Sequence, residues 1–358
     1  MSLYQMKKII NSVLSFLVFS MAFGQEKKVL KLSFSGYLDT YYAYDFNQPQ
    51  DDAKLPFMYN YNRQNEFNIN LGLLRTKAEY ENAYASIALH SGTYVEDNYA
   101  NENTKIISEA YLGLYLDKAR KSTVELGILP SYIGFETATS ASNLTLTRSI
   151  LAENSPYFMT GLKYTYKPNE KVTFSGLVTN GWQRINKPNK NISPALGSQI
   201  IYKPSDKSVF NWSTFIGKEL YKNEWGMRYF SNLYWDKQWN SKWRTIFGFD
   251  SGIQKDMNSS TKDLFWMSPI FVAQYTLAPK WQTAVRFEYY QDRDNVIIAV
   301  NDAFETFNTS LNVDFLINDK VKFRTEARYL NSQNEIFKKE SFLVNDNFCI
   351  TTSLSFEF

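Results

Sequence analysis

The chain has 358 residues, 39 basic and 36 acidic side chains, and a formal net charge of +3. A balance this close to neutral offers no basic stripe for nucleic acid, so no nucleic-acid partner is expected. A single Cys, Cys349, excludes an internal disulfide, and a single His, His90, leaves no His/Cys cluster for a metal.

The N-terminus carries a compartment signal. Lys7 and Lys8 precede an apolar run over 9–23, and Ala22-Phe23-Gly24 offers small residues at a cleavage site. This predicts a secretory signal peptide over 1–24, cleaved before Gln25. The run is too short and too interrupted for a spanning helix. Residues 25–358 read as one domain, with no internal repeat or linker. No later apolar run approaches the ~20 residues of a membrane helix. In lipid such a chain must therefore close as a barrel, because only helices and barrels satisfy every backbone group. An aromatic share of 17% suits strands and interfacial girdles.

Period-2 patterning predicts sixteen strands. They cover 29–45, 66–80, 83–92, 105–116, 122–134, 156–167, 170–180 and 195–204 in the first half. The second half holds 207–218, 224–236, 241–252, 264–277, 280–291, 304–317, 319–331 and 347–358. In the second strand Phe67, Ile69, Leu71 and Leu73 oppose Asn68 and Asn70. In the fourteenth, Phe307, Leu311, Val313 and Phe315 oppose Asn308, Ser310, Asn312 and Asp314. In the fifteenth, Val321, Phe323, Ala327 and Tyr329 oppose Lys322, Arg324, Glu326 and Arg328.

The connections alternate short and long. Pro, Asn, Asp and Ser in the short ones mark tight turns. The long ones are 46–65, 93–104, 135–155, 181–194, 253–263, 292–303 and 332–346, with a shorter one at 219–223. This asymmetry is that of an outer-membrane barrel, with tight periplasmic turns and long outer loops. The expected fold is all-β: a transmembrane, antiparallel, up-and-down barrel of about sixteen strands. Tyr41, Tyr42, Tyr44, Trp235, Trp239, Trp243, Trp266, Trp281, Tyr289 and Tyr290 cluster at strand ends, as girdle aromatics do.

The last strand shows the pattern most plainly. Phe358, Phe356, Leu354, Thr352, Ile350 and Phe348 share one face, and Glu357, Ser355, Ser353 and Thr351 the other. A terminal strand ending in Phe resembles the signal read by barrel-assembly machinery, so Phe358, Phe356 and Leu354 are assigned to assembly.

Several stretches together resemble the OmpL-like β-barrel porin family of Gram-negative outer membranes. They are Gly36-Tyr-Leu-Asp-Thr-Tyr-Tyr-Ala-Tyr-Asp-Phe-Asn47, Arg63-Gln-Asn-Glu-Phe-Asn-Ile-Asn70 and Gly127-Ile-Leu-Pro-Ser-Tyr-Ile-Gly-Phe-Glu136. Leu144-Thr-Leu-Thr-Arg-Ser149, Ala152-Glu-Asn-Ser-Pro-Tyr157, Thr160-Gly161 and Thr179-Asn-Gly-Trp-Gln-Arg184 complete the set. The resemblance covers 36–184 and implies a pore-forming outer-membrane barrel. It brings no catalytic residues and no cofactor.

The lumen face by parity carries acids, including Asp39, Glu66, Glu109, Glu125, Asp250, Glu288, Asp314 and Glu326. It also carries bases, including Lys31, Lys163, Arg228, Arg244, Arg286, Lys322, Arg324 and Arg328. The signs balance, which argues for water inside and leaves ion selectivity open. His90 points to the lumen as a wall residue rather than a catalytic base, and the Asp51-Asp52 pair reads as solvated loop charge. No enzyme activity, cofactor or metal is expected.

The third outer loop, 135–155, is the candidate constriction. Leu144, Leu146, Ile150 and Leu151 make it more apolar than a solvated loop needs, and Ser142 or Asn143 would cap a short helix. In general porins of this size the third loop folds inward. Glu136, Arg148 and Glu153 would then face Arg286, Lys322, Arg324 and Arg328, with Asp39, Glu109 and Glu125 elsewhere on the wall. The expected function is passive diffusion of small polar solutes across outer-membrane lipid, through a barrel that is either single or a homo-oligomer. The alternatives are a substrate-specific channel, for example for sugars, and a non-conducting structural or adhesion barrel.

Overall fold

The computed structural model describes residues 29–50, 54–259 and 262–358. The signal peptide over 1–24 and the Asp51-Asp52 pair lie outside the described residues. Strands run over β1 Lys31–Asp45, β2 Phe67–Tyr80, β3 Ala83–Ser91, β4 Ile107–Tyr115, β5 Ser122–Pro130 and β6 Phe158–Tyr166. They continue with β7 Val172–Thr179, β8 Ala195–Ser205, β9 Ser208–Tyr221, β10 Glu224–Gln238, β11 Trp243–Lys255 and β12 Asp263–Ala278. The last are β13 Trp281–Asp292, β14 Phe304–Leu316, β15 Val321–Ser332, β16 Phe337–Lys339, β17 Phe342–Val344 and β18 Asp346–Glu357. Every strand except β16 and β17 belongs to one closed barrel in which sequence neighbours pair antiparallel. The pair β16–β17 is a small hairpin inside the last long connection, 332–346, where the expectation is loop alone.

Closure joins the first and last strands. Tyr37 pairs with Glu357, and the register runs to Asp45 opposite Cys349. Phe358 continues it through backbone bonds, donating to the Gly36 carbonyl at 3.0 Å and accepting from the Gly36 N–H at 2.8 Å. A closed ring leaves no edge strand unpaired, which lets a sheet sit in lipid.

The alternation that predicted β14, β15 and β18 holds. Leu311, Phe323 and Leu354 are exposed on the outer face, whereas Asn312, Arg324 and Ser353 are buried inside. Leu126, Leu162, Leu196, Trp212, Leu233 and Phe287 carry the same apolar exterior around the ring. Among the described residues no helix is long and apolar enough to cross a membrane.

The pattern fails in β2. Phe67 and Ile69 face outward, but Leu71 and Leu73 are buried in the lumen. The register with β1 shifts between Asp39, opposite Leu71, and Thr40, opposite Ile69. One extra residue, Asn70, is thus accommodated as a bulge, and everything after it turns to the other face. Asn70 is held there by its side chain: its Oδ1 accepts from Tyr61 N–H at 2.8 Å and its Nδ2 donates to Asn60 Oδ1 at 3.0 Å.

The girdle assignment also needs correction. Trp239, Trp243 and Trp281 do face outward, but Tyr41, Trp266 and Tyr290 are buried inside the barrel. With Phe215, Phe230, Phe304 and Leu330 from the wall, Trp266 and Tyr290 form an apolar cluster. Leu55, Phe57 and Met58 from the first long connection and Val296 and Ile298 from the sixth complete it. One side of the lumen is therefore packed at the long-loop end rather than lined by water.

One connection at that end is tight. Tyr221 pairs directly with Glu224, and Lys222 and Asn223 between them both have positive φ, at 46° and 70°. That backbone matches the twist of a two-residue hairpin.

Candidate functional site

The site is the lumen and the loop within it. The connection from β5 to β6, residues 131–157, is longer than expected because β5 ends at Pro130 rather than 134. It folds inward: Leu144, Leu146, Ile150, Leu151, Arg148 and Glu153 are all buried. A 3-10 turn forms at Ser140–Ser142 and a short helix at Ile150–Glu153. The helix is capped by Ser149, whose Oγ accepts from Ala152 N–H at 3.1 Å, not by Ser142 or Asn143. Ser149 fits because its own N–H and hydroxyl both donate to Glu136, at 2.8 and 2.6 Å. Burial pushes the Glu136 carboxyl above its ordinary range, against the pull of Arg286 and the Ser149 donors.

The wall holds this loop with two sets of groups. Arginines on the wall donate to loop oxygens. Arg286 reaches the Thr147 carbonyl at 2.7 Å and Thr145 Oγ1 at 3.0 Å. Arg324 donates to the Ser140 carbonyl and to that of Asn143 at 3.2 Å, and Arg328 to the Arg148 carbonyl at 2.9 Å. Lys322 donates to the Ala141 carbonyl at 2.5 Å. Carboxylates on the wall accept from loop N–H groups. Glu326 takes Thr147 N–H at 2.6 Å, and Glu288 takes Ile150 and Leu151 N–H at 3.0 and 2.7 Å. Glu288 thus sits at the open N-terminus of the short helix, where its unpaired donors point.

The same wall charges neutralise one another. Arg286 pairs with Glu326 at 2.6 Å and Arg324 with Asp314 at 2.7 Å, all four nearly fully buried. The expected arrangement, loop acids facing wall bases across open water, is corrected by this geometry. A loop backbone without water must satisfy its own polar groups, and the wall charges are spent doing so. The loop's Glu153 instead faces the loop's Arg148, and also accepts from Asn60 N–H at 3.2 Å and Asn60 Nδ2 at 2.9 Å.

The remaining wall residues divide by height. Asp39 is buried at the seam under the loop and accepts from Tyr37 at 3.0 Å, and from Tyr61, Ser353 and Ser140. Glu109 pairs with Arg75 and accepts from Ser86 at 3.3 Å. Glu125 lies nearer the short turns, 3.4 Å from Lys163 and accepting from Tyr84 at 3.0 Å. His90 is a wall residue, its Nε2 bonded to the Lys105 carbonyl at 2.9 Å and its ring edge-on to Tyr99. Phe358, Phe356 and Leu354 lie on the outer face, with the first two rings stacked at 5.4 Å.

Three polar cavities lie within the barrel, the first lined by β1–β8 and the others reaching also to β10. A vestibule of about 730 Å³ opens at the short-turn end, reaching Ser33, Lys77 and Lys203. A chamber of about 430 Å³ lies above it, lined by Ser35, Arg75, Glu109, Glu136 and Arg148. A pocket of about 220 Å³ lies among the long loops, lined by Glu102, Glu153, Phe158 and Arg184. Arg148 with Tyr157 lines the chamber and Glu153 with Phe158 the outer pocket, so loop residues 148–158 form the partition.

The clamping roles of Glu288, Glu326 and Asp314 escaped sequence reasoning. The available signal was both signs of charge alternating on the lumen face of β13 and β15, which marks a wall built to grip something.

Comparison with known proteins agrees with this architecture. The chain matches the family described as "Putative beta-barrel porin-2, OmpL-like" over residues 31–358. No curated protein sequence matches it. Its fold is similar to the anion-selective porin from Comamonas acidovorans, with a TM-score of 0.62 at 9% identity over 92% of this chain and 100% of that one. It is similar to the outer membrane channel DcaP of Acinetobacter baumannii, with a TM-score of 0.63 at 10% identity over 94% and 100%. The trimer form of OmpT from Vibrio cholerae follows, at 0.61, 9%, 92% and 100%. At these identities the likeness is one of fold.

Proposed function

We propose that this chain, which belongs to the OmpL-like beta-barrel porin-2 family, passes small hydrophilic solutes by passive diffusion through its lumen, with loop 131–157 as its constriction. The observation that carries the reading is the set of three polar cavities inside the barrel, the outer two parted by residues 148–158. A polar path beside a packed apolar cluster admits water and excludes greasy solutes. The family and its fold neighbours are outer-membrane porins, so the apolar exterior meets outer-membrane lipid. The short-turn end and both strand termini then face the periplasm. Export by a signal peptide over 1–24, cleaved before Gln25, belongs to this reading. So do insertion by barrel-assembly machinery that reads Phe358, Phe356 and Leu354, and a homo-oligomeric state.

Purified protein in a planar lipid bilayer tests the channel. Discrete conductance steps are expected, and deletion of 138–150 should enlarge them. Folded protein without steps would make this a structural or adhesion barrel instead. Swelling of proteoliposomes in sugars, amino acids and salts should show sieving by size; uptake of one sugar alone would make it substrate-specific.

A further inference from the structure

The lumen charges that balance along the sequence do not balance in space. In the short-turn vestibule, Arg120 pairs with Glu79 at 2.6 Å and Lys163 with Glu125 at 3.4 Å. These are the only two carboxylates on its lining. Lys31, Lys77, Lys121, Lys167 and Lys203 line it as well, all exposed to its interior. Among the described residues no carboxylate lies within ion-pair distance of any of these five amines. The framing turns add four acids, Glu81, Asp117, Glu170 and Asp206, against three bases, Lys118, Lys171 and Lys207, which reduces the excess by one and leaves the rest standing.

Further along the path most charges are paired. In the chamber Arg75 pairs with Glu109 and Arg148 with Glu153 of the outer pocket, while Glu136, bonded to neutral Ser149, and Glu357 line it as well. In the outer pocket Arg184 lies 3.4 Å from Glu219 and Glu102 accepts from Ile185 N–H at 2.9 Å. The largest excess of unpaired charge on the path thus lies in the vestibule, and it is positive. The cube root of the vestibule volume is roughly 9 Å, about one Debye length at physiological salt, so the amines act on any ion within it together. Low-dielectric barrel walls confine their field further.

We infer that the periplasmic vestibule makes this channel selective for small anions, with Lys31, Lys77, Lys121, Lys167 and Lys203 as the specificity-determining residues. The inference rests on the porin reading above. The vestibule also offers the hydroxyls of Thr123, Thr173 and the bonded Thr165–Ser175 pair, which solvate an oxyanion or chloride without fixing its identity. The ammonium groups are hydrated point charges on flexible stems rather than bidentate forks. They therefore raise the local anion concentration without trapping one ligand.

The test is the reversal potential of the full-length barrel in a planar bilayer under a potassium chloride gradient. In dilute salt the chloride-to-potassium permeability ratio should be on the order of ten, falling towards one as salt is raised. In the Lys77→Gln/Lys121→Gln/Lys203→Gln variant the ratio should drop severalfold while steps persist. Among the described residues these side chains make no hydrogen bond or ion pair, and each is exposed, so the variant keeps the fold. Conductance steps with a ratio of one or below in the unmodified protein would overturn the selectivity and leave the porin standing, as would an unchanged ratio in the variant. Folded protein without steps overturns the porin reading, and the selectivity with it.

Discussion

The guanidinium of Arg148 lies 3.6 Å from the carboxylate of Glu153, and the two side chains belong to different cavities. Both are buried, and Arg148 also stacks over the Tyr157 ring at 5.3 Å. This pair is the partition between the inner chamber and the outer pocket. Arg148→Ala alone leaves the Glu153 charge buried and costs about 3–5 kcal/mol. The double variant Arg148→Ala/Glu153→Ala removes both charges together, so it should fold with a smaller loss and open the partition. Single-channel recordings should show larger steps than the unmodified protein; equal steps would place the limiting constriction elsewhere.

Removing a wall arginine should unclamp the loop. Arg324→Ala deletes two bonds to loop carbonyls and strands the buried Asp314. Arg286→Ala does the same to Thr147 and Glu326. Each should cost about 3–5 kcal/mol, read as a lowered urea midpoint in lipid vesicles, with noisier open-channel current. A loss below about 1 kcal/mol, the scale of an exposed pair, would mean that water reaches these arginines.

The two faces of the barrel should respond differently to the same new charge. Leu311→Arg on the exposed apolar face should cost about 2–4 kcal/mol near the midplane, whereas Thr173→Arg in the vestibule should cost little. Equal losses in vesicle unfolding would contradict the inside–outside assignment.

The β2 bulge has its own test. Asn70→Ala strips the partner from Tyr61 N–H and from the Asn60 amide, an expected loss of about 1–3 kcal/mol in the same unfolding assay. Deleting Asn70 removes the bulge itself: Ile69 then directly precedes Leu71, and Phe67 and Ile69 keep the outer face. That variant should still reach the compact, heat-modifiable form on gels, with a loss similar to that of Asn70→Ala.

Phe358 separates assembly from folding. Its ring lies over Gly36, where no side chain stands in the way, and its backbone closes the barrel. Phe358→Ala keeps both backbone bonds. It should refold from urea as the unmodified chain does, yet show less heat-modifiable protein in cell membranes. Normal membrane levels would remove the signalling role.

The period-2 pattern determined most of the barrel by itself. All sixteen barrel strands, their even number, the alternation of short and long connections and the outward faces of β14, β15 and β18 follow from it. Strand parity is local: a residue's face is decided by its immediate neighbours. Tertiary structure decided what no local window contains. Leu71 and Leu73 change face because loop residues Asn60 and Tyr61 bond the Asn70 side chain and hold the bulge, and those lie in a connection with no period. Trp266 and Tyr290 go inside because other strands and loops supply apolar partners across the lumen. Arg286, Arg324 and Arg328 had the right face, but only the inserted loop determines that they grip carbonyls instead of facing water. The five vestibule lysines are scattered over 31–203, a span in which bases and acids are nearly equal in number. Closing the ring brings them to one end and leaves them unmatched, because charge balance in a sequence is a sum and an electric field is an arrangement.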